Sequence, residues 1–141
     1  MAGFIQKIMT WSGKKRRLFV CIVDDEPEFL TLFTRLLVNI LDADILSFTS
    51  PDGLLEFTRV HNKIPDLVLS DVNMPKLNGF QLKRKAWNQW QVKVPFVFIT
   101  GLDGEDETDN SEMVIISKPV NMDLLKDELH QIFSEDHPAF K

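Results

Sequence analysis

Short apolar runs alternate along this chain with segments of helical period, and that alternation limits the fold more than any other feature of the sequence. The runs are Leu18–Val23, Asp44–Phe48, Asp66–Asp71, Val94–Thr100 and Met113–Ile116. Most are nearly continuous and rich in β-branched or aromatic residues, as strands are when both faces of a parallel sheet are covered. After the first run, Phe29, Leu30, Phe33, Leu36, Leu37, Ile40 and Leu41 predict a helix over Pro27–Leu41, and Pro27 suits a first helical position. Ser50–Pro51–Asp52 starts a second helix reaching about Val60, and Phe80–Trp90 reads as a third. Asn121 caps a closing helix marked by Leu124, Leu125, Leu129, Ile132 and Phe133. Together these segments predict an α/β fold in which a five-stranded parallel sheet is doubly wound by right-handed crossovers. One crossover is anomalous: residues 101–112 are mostly Asp, Glu and Gly, with Leu102 the sole large apolar side chain. A helix there would have almost no face to bury, so the fourth helix is expected to be shortened, poorly ordered or missing.

A chain of 141 residues with 44% apolar composition suffices for one well-buried core, assigned to residues 18–134. The net charge of −5 argues against a nucleic-acid surface, which needs clustered Lys and Arg. Cys21 is the single cysteine, so neither an internal disulfide nor a cysteine metal cage is available, and it reads as a small core residue. No run approaches the roughly 20 apolar residues of a membrane span, and residues 1–17 lack a secretory h-region, so a cytoplasmic location is expected. In that N-terminal segment Phe4, Ile5, Ile8, Met9 and Trp11 precede the basic cluster Lys14–Arg17. The pattern allows a solvated tail or a short amphipathic helix able to touch a partner or a membrane. Residues 135–141 read as a C-terminal tail, and His61, His130 and His137 as surface residues.

Four of the apolar runs stop on polar groups: Leu18–Val23 on Asp24–Asp25, Leu67–Leu69 on Ser70–Asp71, Phe96–Ile99 on Thr100, and Met113–Ile116 on Ser117–Lys118–Pro119. In a parallel sheet these endings meet at the carboxyl edge, where such folds bind ligands. Three carboxylates, a hydroxyl and an ammonium suit a divalent cation and a phosphoryl group. Mg²⁺ takes carboxylate oxygens together with water and phosphate oxygens, and a carboxylate can attack phosphorus to give an acyl phosphate. Asp71, ending the central strand, is the nucleophile candidate, with Thr100 and Lys118 as phosphoryl contacts. Lys118–Pro119 is a natural cis peptide that would aim Lys118 inward. Taken singly, each ending also has a structural reading as a helix cap, a turn or a solvated loop.

Val23–Asp24–Asp25–Glu26, Ser70–Asp71–Val72–Asn73–Met74–Pro75 with Gly79, Thr100–Gly101 and Lys118–Pro119 resemble the signature of the receiver domain of two-component response regulators, over about residues 18–134. The resemblance implies a flavodoxin-like sheet of order 2-1-3-4-5. It implies that Asp71 accepts a phosphoryl group from a phosphohistidine donor, with Thr100 and Lys118 contacting that group. It further implies that Asp25, Asp71 and the backbone carbonyl of Asn73 bind Mg²⁺, with Asp24 supporting the ion through water. The implied partners are a histidine kinase or histidine phosphotransfer protein and a downstream protein. The family's switch aromatic, three residues before the lysine, is Ile115 here. Together with the short acidic crossover, that points to output through another surface or through an order–disorder change in residues 101–112.

The expected function is a single-domain response regulator that signals by protein contact and is not an enzyme. A phosphorylation-independent adaptor of the same fold is the alternative. A phosphatase of the haloacid-dehalogenase type would need an acid/base Asp two residues after the nucleophile, where this chain has Asn73. No Gly-rich phosphate loop of Walker type is present either.

Overall fold

The computed structural model describes residues 5–6, 17–101 and 113–141. Its elements in chain order are β1 (Ile5–Gln6), β2 (Leu18–Val23), α1 (Pro27–Leu37), β3 (Ala43–Phe48), α2 (Pro51–His61), β4 (Leu67–Asp71), α3 (Gly79–Trp90), β5 (Val92–Lys93), β6 (Phe96–Thr100), β7 (Val114–Ser117) and α4 (Met122–Phe133). The main sheet has the order β3-β2-β4-β6-β7 with every pairing parallel. Counting its five strands alone, this is the expected 2-1-3-4-5.

Alternation along β2 divides the core into two layers. Leu18, Val20 and Ile22 pack with Leu30, Phe33 and Leu37 of α1 and Leu125, Leu129 and Phe133 of α4. Phe19, Cys21 and Val23 face the opposite way, onto Leu54 of α2 and Leu82, Ala86 and Trp90 of α3. Cys21 is fully buried, and that burial pushes its thiol up to about 12, so it behaves as a core residue. The central strands β2, β4 and β6 are therefore buried along their whole length, which is why their apolar runs are nearly continuous.

Three segments differ from the expected pattern. Helix α1 ends at Leu37 rather than Leu41, and a tight turn carries the chain on to Leu41. Leu41 is buried in the same core layer as α1, so the apolar period continues past the helix. Ile5–Gln6 are extended, not helical, and pair in parallel with Val92–Lys93. The rest of the expected N-terminal tail or helix, Arg17 excepted, lies outside the described residues, as does the expected reduction of the fourth helix over residues 102–112. Finally, residues 134–141 fold back on the domain. Phe140 bridges to Leu41, Ala139 is buried, and His130 and His137, half-buried, contact Phe140 and Phe133. Among the described residues, no helix is long and apolar enough to cross a membrane.

Candidate functional site

Sheet register brings the strand endings together. Val23 pairs with Ser70, so the next residues, Asp24 and Asp71, leave β2 and β4 side by side. Thr100 pairs with Ser117 at the ends of β6 and β7, and the Lys118 N–H donates to the Thr100 carbonyl at 2.8 Å. The Lys118–Pro119 peptide is cis, as the sequence suggested. One carboxylate oxygen from each of Asp24, Asp25 and Asp71 lies within 4.8 Å of the others. Asp24, Asp71 and Thr100 are buried, whereas Asp25 is exposed at the rim.

Crowded carboxylates repel one another, and Lys118 supplies the counter-charge. Its ammonium donates to Asp24 Oδ2 at 2.8 Å and to Glu26 Oε1 at 3.1 Å, and stands 3.9 Å from Asp71 Oδ2. Asp24 uses its other oxygen to accept the Glu26 N–H at 2.9 Å. Asp71 therefore has the weaker hold on the cation, and its Oδ1 accepts a long 3.4 Å bond from the Asn73 N–H. Burial, reinforced by the charge on Asp24, lifts the Asp71 carboxyl to about 6 despite the opposing pull of Lys118 and of the Asn73 and Val72 N–H groups. Burial alone would lower the Lys118 ammonium, but its bonds to Asp24 and Glu26 and the charge on Asp71 hold it above the ordinary lysine range.

The turn after Asp71 closes tightly over the site. The Gly79 N–H donates to the Val72 carbonyl at 2.9 Å, and a Cβ at Gly79 would sit 2.4 Å from the Asp71 carbonyl oxygen. Gly79 is thus required by close approach of backbone to backbone. It opens α3 directly after Asn78, whose side chain and that of Gln81 cap each other's backbone at 2.8 and 2.9 Å. Ser70 donates to the Asp71 carbonyl at 2.8 Å, fixing the end of β4.

The expected site residues Asp24, Asp25, Asp71 and Lys118 lie within one cluster, with the backbones of Asn73 and Thr100 adjoining it. Two participants carry no role in the sequence pattern: Glu26, which ion-pairs with Lys118, and Phe29, whose ring centroid lies 4.2 Å from the Lys118 ammonium. Their signal was faint. Glu26 adjoins the acidic pair, and Phe29 is one of many apolar residues on α1.

Hard oxygen donors converging on one point fit a divalent cation of the Mg²⁺ kind, with Asp25 and Asp71 open to it and Asp24 already engaged by Lys118. A carboxylate beside a cation site and an ammonium can also accept a phosphoryl group, because such transfer depends chiefly on positioning and charge neutralisation.

The sequence profile of the response regulator receiver domain matches residues 20–130. The chain belongs to this family. It is 32% identical to the sensor protein EvgS of Escherichia coli over 87% of its own length and 10% of that protein. It is 31% identical to a gliding motility regulatory protein of Myxococcus xanthus over 70% of its length and 12% of that protein. The chain thus spans about a tenth of the length of these curated relatives. A signal receiver domain of an HD domain-containing protein from Pseudomonas fluorescens superposes with a TM-score of 0.71 at 22% identity, covering 87% of this chain and 99% of that one. That likeness is one of fold.

Proposed function

We propose that this receiver domain takes a phosphoryl group onto Asp71 from a phosphohistidine of a histidine kinase or histidine phosphotransfer protein, in the cytoplasm, and signals by contact with a downstream protein. The single observation that carries the proposal is the placement of the buried Asp71 carboxylate between two further carboxylates and the Lys118 ammonium at the carboxyl edge of the sheet. An Asp71 oxygen forms the new bond to phosphorus as the bond from phosphorus to the donor imidazole nitrogen breaks, and the imidazole leaves with that electron pair. Asp71 must be ionised to attack, and with its carboxyl near 6 it is ionised at neutral pH. Lys118, whose ammonium is 3.9 Å from Asp71 Oδ2, would set its charge against one phosphoryl oxygen, and Thr100 at the end of β6 would offer a hydroxyl to another. The Asp25 and Asp71 carboxylates and the Asn73 carbonyl would hold Mg²⁺, with Asp24 acting through water. When bound, the ion supplies charge neutralisation for the carboxylates and the incoming phosphoryl oxygens.

A second reading, an adaptor that binds without phosphorylation, is favoured by Ile115, which is 42% exposed on β7 where the family's switch aromatic would stand. Titration with Mg²⁺ and beryllofluoride, a phosphoryl mimic, separates the two. Saturable binding that requires Mg²⁺ and disappears in Asp71→Asn supports the phosphoryl acceptor, whereas a wild-type protein that binds none leaves the adaptor.

A further inference from the structure

Lys118 is bound in a way that its expected role does not require. Glu26 occupies the N-cap position of α1, yet its side chain makes no capping bond there. Its carboxylate reaches instead to the Lys118 ammonium at 3.1 Å. One turn of helix further on, the Phe29 ring faces the same ammonium at 4.2 Å, and Phe29 is itself held by stacking on the buried Phe33 ring at 5.2 Å. An ammonium so close to a ring face is attracted by the negative face of the π system, most strongly where water is scarce. The Lys118 side chain is 16% exposed, so little water competes. The ammonium is thus held by Asp24, Glu26 and the Phe29 ring, and of its three carboxylate neighbours Asp71 stands farthest away. Beside Phe29, an open cavity of about 390 Å³ lies between α1 and the loop that joins β7 to α4, lined by Leu32, Leu36, Pro119 and Val120. The ring and the lysine both border this space, so the lysine side chain has room to move off the ring.

We propose that Glu26 and Phe29 are positioning residues that form a resting seat for the Lys118 ammonium, and that this seat competes with a phosphoryl group on Asp71 for the same cation. The proposal rests on the phosphoryl-acceptor function above and adds to it a device that sets how readily the site is filled. Drawing the ammonium towards Asp71 vacates the Phe29 ring and alters the mouth of the apolar cavity. A change at the site thereby reaches α1 directly, without an aromatic residue at position 115.

The competition predicts opposite signs for two substitutions at one position. Phe29→Leu removes the π face, keeps an apolar side chain and leaves the charge unchanged, so it should tighten Mg²⁺-dependent beryllofluoride binding by about threefold to tenfold. Phe29→Trp offers a stronger π face, with the cavity giving room for the larger ring, and should weaken binding by a similar factor. A merely structural Phe29 would give losses of one sign in both. In a Lys118→Ala background, neither substitution should change the residual affinity, because the group they act on is gone. The resting seat has its own signature in the absence of any ligand: the Lys118 ε-methylene protons should show an upfield ring-current shift in the NMR spectrum, lost in Phe29→Leu. Absence of that shift in the wild-type protein would overturn the seat whether or not beryllofluoride binds. A shift that is present, with equal beryllofluoride affinity in the wild type, Phe29→Leu and Phe29→Trp, would overturn the competition. Failure of every variant and of the wild type to bind beryllofluoride would instead sink the phosphoryl-acceptor function, and the competition with it.

Discussion

At the scale of single residues, Asp71 holds its charge in an unfavourable place. The Asp71 carboxyl is ionised at neutral pH although burial and the charge on Asp24 raise it from the ordinary 3.8 to about 6. The native state therefore holds the Asp71 proton more tightly than the unfolded chain does, so this residue adds no penalty below about pH 4 and its full penalty above about pH 6. Asp71→Asn should remove that penalty. In urea unfolding without divalent cations, the variant should exceed the wild type by about 1–3 kcal/mol at pH 7 and lose the advantage by pH 4. A gap that fails to narrow between those pH values would show that Asp71 is not strained by its neighbours. Gly79 is constrained by space rather than charge. A Cβ there meets the Asp71 carbonyl at 2.4 Å, so Gly79→Ala should cost about 2–4 kcal/mol in urea unfolding. An unchanged unfolding midpoint would mean that the turn yields without cost.

At the scale of elements, two local devices hold the helices in place. Between α2 and α3, the Thr58 hydroxyl accepts from Trp90 Nε1 at 3.0 Å and from Gln89 Nε2 at 3.1 Å while donating back to the Leu54 carbonyl at 2.9 Å. Thr58→Val keeps the shape and strands the buried indole N–H, for an expected loss of about 1–3 kcal/mol, with recovery in Thr58→Ser. Equal stability of the Val and Ser variants would remove the hydrogen bond from the account. At the other end of the domain, residues 134–141 strap the α1–β3 turn. The Asp42 N–H donates to the Ala139 carbonyl at 2.7 Å, the Lys141 N–H to the Ile40 carbonyl at 3.2 Å, and Phe140 lies across from Leu41. Deleting residues 138–141 uncovers Leu41 and should lower stability by about 2–4 kcal/mol. The urea midpoint should fall with little change in slope, and a midpoint that stays put would make the strap ornamental.

At the scale of the whole molecule, stability and site occupancy are linked. A ligand that binds only the folded chain stabilises it by about 2.7 kcal/mol at a hundredfold excess over its dissociation constant. Mg²⁺ with beryllofluoride should therefore raise the thermal midpoint of the wild type but not of Asp71→Asn, a comparison that needs no knowledge of the partner. The alternating runs and helical segments specify the doubly wound sheet because strands buried on both faces and amphipathic helices have few other ways to hide their apolar sides. The receiver signature likewise marks Asp24, Asp25, Asp71, Thr100 and Lys118, since these lie at the ends of four strands and the parallel topology gathers strand ends. What local pattern could not carry is contact between segments far apart in the chain. The C-terminal strap looks like a tail because its stabilising partners are Ile40, Leu41 and Asp42, nearly a hundred residues earlier. Leu41 belongs to the period of α1 but lies beyond the helix, because burial in a shared core layer, and not helical geometry, sets its place. The pairing of Ile5–Gln6 with Val92–Lys93 is hidden for the same reason. Periodicity and strand endings along the chain therefore carried the architecture and the choice of candidate groups at the sheet edge. Which groups hold Lys118 was settled by the folded chain alone, because Asp24, Glu26 and Phe29 reach the ammonium from the end of β2 and the start of α1, about ninety residues earlier, a proximity that no spacing along the chain records.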